Sequence, residues 1–119
     1  MFSNEVEYMR VLVVEPGGMP QNVEIKRTLE AMQAVVGGYI QAVYPFDEEI
    51  ALICNEEGKL EGLPWNRPLY DVESGEIYDF VVGTFFLCAA PANESHFSGL
   101  TDEQIERCLC YLEGRDLNA

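Results

Sequence analysis

The most hydrophobic stretch of the chain, Ile77 to Ala89, constrains the fold more than any other feature. A short apolar run bounded by turn residues is typical of a strand buried in a protein core. The run is also shorter than the roughly 18 residues that a membrane-spanning helix needs. It therefore predicts a core strand, and Gly83 within it predicts a bend, because glycine inside a strand often marks one.

Four further strand patterns accompany this core strand. Met9–Val14 is a β-branched run that ends in the turn residues Glu15–Gly18. Val23–Ile25 alternates apolar and polar residues and predicts the second strand of a hairpin. Tyr39–Tyr44 alternates in the same way, whereas Ile50–Cys54 is continuously apolar, which places it near the middle of the sheet.

Two segments carry helix signals. The first, near 29–36, has apolar residues at helical spacing and ends at a pair of glycines. The second, near 102–113, begins after Thr101, which forms a capping box with Gln104. The sequence thus predicts an α+β fold, with a mainly antiparallel, twisted sheet of about five strands and two helices.

The length of 119 residues fits one domain, because a domain usually takes about 100–200 residues. We find no repeat, linker or low-complexity segment. We predict a polar leader over residues 1–8 and a single domain over residues 9–119.

The balance of charge is strongly acidic. Twenty-one Asp and Glu face seven Lys and Arg, which gives a formal net charge of −14. Such a surface repels nucleic acid and anionic membranes, and it attracts basic protein surfaces. A second interpretation stays open, in which the charge serves solubility alone.

The four cysteines, Cys54, Cys88, Cys108 and Cys110, form no C-x-x-C pair. Two of them lie inside apolar runs, where a free cysteine behaves as a small buried hydrophobe. The chain shows no basic and apolar leader of the secretory kind. We therefore expect a protein of the reducing cytoplasm.

No residue pattern predicts catalysis, a metal or a cofactor. His96 follows Ser95 directly, so the two do not form the spaced nucleophile and base of a hydrolase. Cys108 and Cys110 would point roughly 200° apart on a helix, which excludes a shared chelate. We therefore predict a non-enzymatic protein.

The acidic triplet Asp47, Glu48 and Glu49 is a candidate partner-binding segment. It lacks the ligand spacing and central glycine of a calcium loop. Like-charge runs are usually exposed, so we predict a solvated turn.

A second candidate site is the segment Gly62–Tyr70, which reads as a loop stiffened by two prolines. Trp65, Asn66, Arg67 and Tyr70 are its candidate binding residues. Trp, Tyr and Arg are enriched in binding hot spots, and a guanidinium suits phosphate while an aromatic ring stacks on a base. The structural alternative is that Arg67 pairs with a neighbouring acid while Trp65 fills the core.

The order of several motifs resembles an uncharacterised family of small acidic proteins from Gram-positive bacteria, their phages and conjugative elements, known only as a domain of unknown function. The stretches that carry the resemblance are Val13–Gly17, Leu29–Gln33, Val35–Ile40, Cys54–Leu60, Gly62–Pro64 with Asn66–Arg67, and Gly83–Phe86. They span roughly residues 9–90 and leave the terminal helix outside. The resemblance implies a protein carried by a phage or mobile element, and such proteins often counter host defence.

Two functions follow as hypotheses. In the first, the acidic surface docks on the basic, nucleic-acid-binding face of a host protein and competes with DNA or RNA. In the second, the chain is an oligomeric small-molecule binder that sequesters a nucleotide signal through the Trp65–Tyr70 segment.

Overall fold

The computed structural model describes residues 7–46 and 48–114, in which seven strands and three helices follow one another. Their bounds are β1 (Tyr8–Val14), β2 (Gln21–Lys26), α1 (Leu29–Val36), β3 (Ile40–Val43), β4 (Ile50–Asn55), α2 (Gly58–Glu61), β5 (Trp65–Tyr70), β6 (Ile77–Val82), β7 (Phe85–Ala89) and α3 (Asp102–Glu113). The predicted α+β class is confirmed. Of the predicted leader, residues 1–6 lie outside the described residues, and Tyr8 belongs to β1.

Five of the strands form one antiparallel sheet in the order β2-β1-β7-β4-β3. β1 and β2 form the predicted hairpin, in which Met9 lies opposite Ile25. β4 lies inside the sheet between β7 and β3, as its continuous apolar run predicts, and all of its residues are buried.

Both faces of this sheet are buried, which explains why β7, and β4 as far as Cys54, are apolar at every position rather than at every second one. Phe85 and Leu87 point to one face, where they pack in a cluster with Tyr111 of α3. Phe86 and Cys88 point to the opposite face and pack in the cluster that contains Val36 of α1. The sheet is therefore the middle layer of the fold.

The two predicted helices begin and end at the residues that carry their capping signals. The Oγ1 atom of Thr28 accepts a hydrogen bond from the backbone N–H of Ala31. Thr101 and Gln104 form the reciprocal capping box before α3. Gly37 ends the first helix in the left-handed conformation that glycine adopts without a Cβ clash.

The predicted bent strand over 77–89 is wrong in one respect, because it is two strands in two different sheets. β7 lies at the centre of the large sheet, whereas β6 pairs with β5 in a separate two-stranded ribbon. Gly83 lies between them at φ +73°, and a Cβ there would lie 2.7 Å from Cδ1 of Leu63. A positive φ redirects the chain, so the glycine separates the strands rather than bending one.

The predicted loop that begins at Gly62 is wrong from Trp65 onward, because Trp65–Tyr70 forms β5. The strand is irregular: the pairing with β6 shifts register between Trp65 and Arg67 and again between Leu69 and Tyr70. Proline within a run usually indicates a non-strand segment, but Pro68 is tolerated in this two-stranded ribbon, where each strand has a free edge.

Candidate interaction surface

The β5–β6 ribbon carries a group of exposed apolar side chains. Ile77 is 68% exposed and Tyr78 is 59% exposed, and Phe80 is exposed as well. Trp65 on the neighbouring strand is 58% exposed. Because residues on one strand point alternately to opposite faces, the run Ile77–Phe80 is exposed on both faces of the ribbon. Contiguous exposed aromatic residues of this kind mark interaction surfaces.

Carboxylates lie at the turn of the same ribbon. Oδ1 of Asp71 accepts hydrogen bonds from the backbone N–H groups of Glu73 and Ser74, which fixes the turn. These bonds hold the pKa of Asp71 below its usual value. Glu73 and Glu76 are exposed around it. The end of the ribbon therefore combines aromatic surface with negative charge.

Lys59 of α2 reaches over β6 and neutralises the carboxylate within that strand. Its Nζ lies 2.6 Å from Oδ1 of Asp79 and 4.4 Å from the centre of the Phe80 ring. The hydrogen bond from Lys59, followed by that from the backbone N–H of Phe80, lowers the pKa of Asp79. The carboxylate within β6 therefore adds little to the negative charge that the ribbon presents.

Of the four candidate residues on β5, only Trp65 presents most of its side chain to solvent. Asn66 is fully buried, and its Nδ2 donates to the carbonyl oxygens of Val14 at 3.0 Å and Gly83 at 2.8 Å. Arg67 donates to the carbonyl oxygen of Gly18 at 2.7 Å and to both oxygens of Asn66. Neither part of the structural alternative is observed: Trp65 does not fill the core, and the oxygens that accept from Arg67 are not carboxylates.

Tyr70 is part of a stacked pair with Tyr111 of α3. Their ring centres are 4.4 Å apart with an angle of 5° between the planes. The hydroxyl of Tyr70 donates to the carbonyl oxygen of Tyr111, and the Tyr111 hydroxyl accepts from the backbone N–H of Tyr70. Burial raises the pKa of Tyr111 to about 12. Tyr70 thus attaches the ribbon to the terminal helix.

The acidic triplet is not simply a solvated turn. Asp47 lies outside the described residues. Glu48 forms a two-pronged ion pair with Arg107 of α3, with N–O distances of 2.6 to 3.0 Å. Glu49 has φ +56°, and its Oε1 accepts from the backbone N–H of Ala92 at 2.8 Å. Both described acids hold neighbouring segments of the fold.

Three nucleophile or base candidates elsewhere in the fold are His96, Cys88 and Cys108. Nδ1 of His96 lies 3.2 Å from the carbonyl oxygen of Phe97 and 3.5 Å from Glu94. Burial raises the pKa of the Cys88 and Cys108 thiols to about 12, so both stay protonated at neutral pH. Within residues 7–46 and 48–114, no three His, Cys, Asp or Glu side chains lie where they would hold a metal ion. None of the helices in this part of the chain is long and apolar enough to cross a membrane.

The sequence interpretation missed the exposed residues of β6, because a continuous apolar run was assigned to the core as a whole. Two signals in the run Ile77–Ala89 distinguish its exposed first half from its buried second half. Asp79 interrupts the run in its first half, and a carboxylate is seldom fully buried. Gly83 then separates this half from the uncharged Phe85–Ala89, which does lie in the core.

The fold and this surface define the class of protein: a small acidic α+β domain with an aromatic ribbon attached to one sheet. The chain belongs to the family described as domain of unknown function (DUF3846), whose model matches residues 9–113. The match includes α3, so the predicted limit of the resemblance near residue 90 was wrong. No curated protein and no solved structure matches the chain.

Proposed function

We propose that this chain is a non-enzymatic interaction protein of the bacterial cytoplasm that binds the basic, nucleic-acid-binding face of a host protein. The observation that carries the proposal is the β5–β6 ribbon, where exposed Trp65, Tyr78 and Phe80 lie on the same hairpin as exposed carboxylates. Aromatic anchors supply contact area, and the charge supplies complementarity to a basic partner. Occupying that face would exclude DNA or RNA, which is how a phage or mobile-element protein would inhibit a host defence enzyme.

The negative charge of the chain and the aromatic side chains of the ribbon have different roles in this proposal. The net charge of −14 steers the chain towards a basic surface and raises the association rate. The aromatic side chains then hold the complex, because the burial of large rings slows dissociation. A partner that binds nucleic acid fits both roles, since its binding face is positively charged and accepts stacked rings.

The nucleotide-binding alternative finds less support at Trp65–Tyr70. The Arg67 guanidinium already donates to Gly18 and Asn66, and Asn66 has no exposed surface. Tyr70 is stacked on Tyr111. A nucleotide at this segment would have to break these contacts before it bound.

The test is capture of host proteins on the immobilised chain, followed by elution with salt and with duplex DNA or RNA. We expect partners that are retained at about 50 mM salt, released well below 500 mM, and displaced by nucleic acid, because surface charges separated by more than about 10 Å are screened at 0.1 M. Retention that is equal at low and high salt, or that nucleic acid leaves unchanged, contradicts the proposal.

Matched variants locate the surface. Tyr78→Ala removes a ring that is 59% exposed on the ribbon, and Tyr39→Ala removes one that is 65% exposed beside β3. We expect the first to weaken retention by at least about tenfold, the effect of a 1.4 kcal/mol loss, and the second to leave it unchanged. Equal effects of the two variants would move the binding surface away from the ribbon.

A further inference from the structure

A groove of about 770 Å³ lies on the opposite side of the sheet from α3, between α1 and the segment 90–97. Both α1, which has 8 residues, and the segment after β7 pack on this face of the sheet, through Met32 and Phe97 respectively, and the groove lies between them. The volume is within the range of small-molecule sites, which is roughly 300–1,000 Å³.

The walls of the groove suit a flat apolar body. They include the thioether of Met32, the half-buried ring of Phe97 and the ring of Tyr44, which is 61% exposed. Met32 and Phe97 also pack against the core cluster that contains Val36 and Phe86, which holds these two walls of the groove in place. Aromatic and thioether groups favour a planar ring, through stacking and sulfur–ring contacts.

Arg27 and Glu94 bring one positive and one negative charge to the lining of the groove. The Arg27 guanidinium binds the carboxylate of Glu7, and the Glu94 carboxylate lies 3.5 Å from Nδ1 of His96. An anionic ligand would meet Glu94, and a cationic ligand would meet Arg27. The pairing favours an uncharged ligand, in a chain whose total charge is −14.

The polar groups of the groove include both donors and acceptors. Arg27 donates only, the carboxylate of Glu94 accepts only, and the hydroxyl of Ser95 does both. An uncharged planar ring that itself carries donors and acceptors on its edge matches this set. We infer that the groove binds an uncharged nitrogen heteroaromatic compound of the nucleobase or nucleoside class, at a site separate from the ribbon.

The experiment is a titration of the full chain with adenosine, guanosine, cytidine and uridine, followed by saturation-transfer NMR and calorimetry. We expect saturable binding of at least one nucleoside, with an affinity that changes less than about twofold between 50 and 500 mM salt, since no net charge is neutralised. Absence of binding by all four at millimolar concentration overturns the inference. So does a nucleoside monophosphate that binds at least tenfold more tightly than its nucleoside, because that indicates an anion site.

Matched tyrosine variants test the position of the site. Tyr44→Ala removes a ring from the groove and should weaken nucleoside binding about fivefold or more, the lower end of the stacking range for one base. Tyr39→Ala removes a similarly exposed ring that does not line the groove and should have no effect. If Tyr44→Ala has no effect, or if both variants weaken binding equally, the groove is not the site. Tyr78→Ala should leave nucleoside binding intact, so this inference and the proposed function fail independently.

Discussion

At the scale of single residues, Asn66 shows how a candidate binding residue can instead hold the fold together. Its buried side-chain amide donates to carbonyl oxygens of Val14 and Gly83, which belong to the large sheet and to the junction that leads into it. Its own oxygen accepts from Arg67. The Asn66 side chain thus satisfies two buried carbonyl acceptors and orients the guanidinium of Arg67. The register of β5 is irregular between Trp65 and Arg67, and at this irregularity the amide of Asn66 enters the core.

The first prediction concerns this amide. Asn66→Ala should lower the free energy of unfolding by about 2–6 kcal/mol, because two buried carbonyl groups lose their donor at about 1–3 kcal/mol each. Urea denaturation measures the change. Asn22→Ala, on the exposed edge strand β2, is the control and should stay within about 0.5 kcal/mol of the parent. A loss of less than about 1 kcal/mol for Asn66→Ala would show that the amide is dispensable.

At the scale of elements, local signals predicted more than long-range ones. The second helix was predicted near 102–113 and observed at Asp102–Glu113, because Thr101 and Gln104 carry a start signal that depends on no distant residue. The pairing of β5 with β6 was not predicted. The position of this ribbon in the fold is held by Asn66, which reaches the main sheet, and by Tyr70, which stacks on α3, and sequence periodicity contains neither contact. The burial of Asn66 and the partial burial of Arg67 and Tyr70 were missed for the same reason.

The second prediction concerns the junction between β6 and β7. Gly75 and Gly83 share a positive φ, of 77° and 73°, but only Gly83 has Leu63 where a Cβ would stand. Gly75→Ala should therefore cost about 1–2 kcal/mol for the backbone alone. Gly83→Ala should cost about 2–5 kcal/mol, because overpacking adds about 1–3 kcal/mol. Chemical denaturation of both variants separates the two effects.

A double variant tests whether the contact with Leu63 causes the extra loss of stability in Gly83→Ala. Leu63→Ala removes Cδ1, the atom that a Cβ at residue 83 would meet at 2.7 Å, and leaves only Cβ of residue 63 at 3.4 Å. The double variant should therefore lose less stability than the sum of the two single variants. Simple additivity would show that the strained φ, and not the contact with Leu63, makes glycine necessary where the chain passes from the ribbon to the central strand.

At the scale of the whole molecule, the excess of acidic over basic side chains is far larger than ion pairing can offset. Ion pairs join Arg10 to Asp102, Lys59 to Asp79 and Arg107 to Glu48. Each pair has an N–O distance of 2.6 to 2.8 Å, well inside the screening length of dilute salt. Carboxylates farther apart repel one another through solvent. With a net charge of −14, this repulsion opposes the compact state.

The third prediction is that salt stabilises the folded chain. Raising NaCl from about 20 to about 300 mM shortens the screening length below most distances between exposed carboxylates, while close ion pairs lose little. We therefore expect the melting temperature to rise by a few degrees, which corresponds to roughly 1 kcal/mol. Differential scanning calorimetry measures the shift, and KCl should produce the same rise if screening rather than a specific sodium site is the cause.

Charge-reduced variants test both whether repulsion between carboxylates lowers stability and whether the carboxylates of the ribbon bind the partner. Replacing the exposed Glu15 and Glu56 with Gln should raise the melting temperature at low salt and flatten its dependence on salt, without weakening partner retention. Replacing Glu73 and Glu76 with Gln should affect stability to a similar degree, and it should also weaken retention, because these two carboxylates belong to the ribbon. If the two pairs reduce retention equally, the total charge attracts the partner and the ribbon has no special part in it.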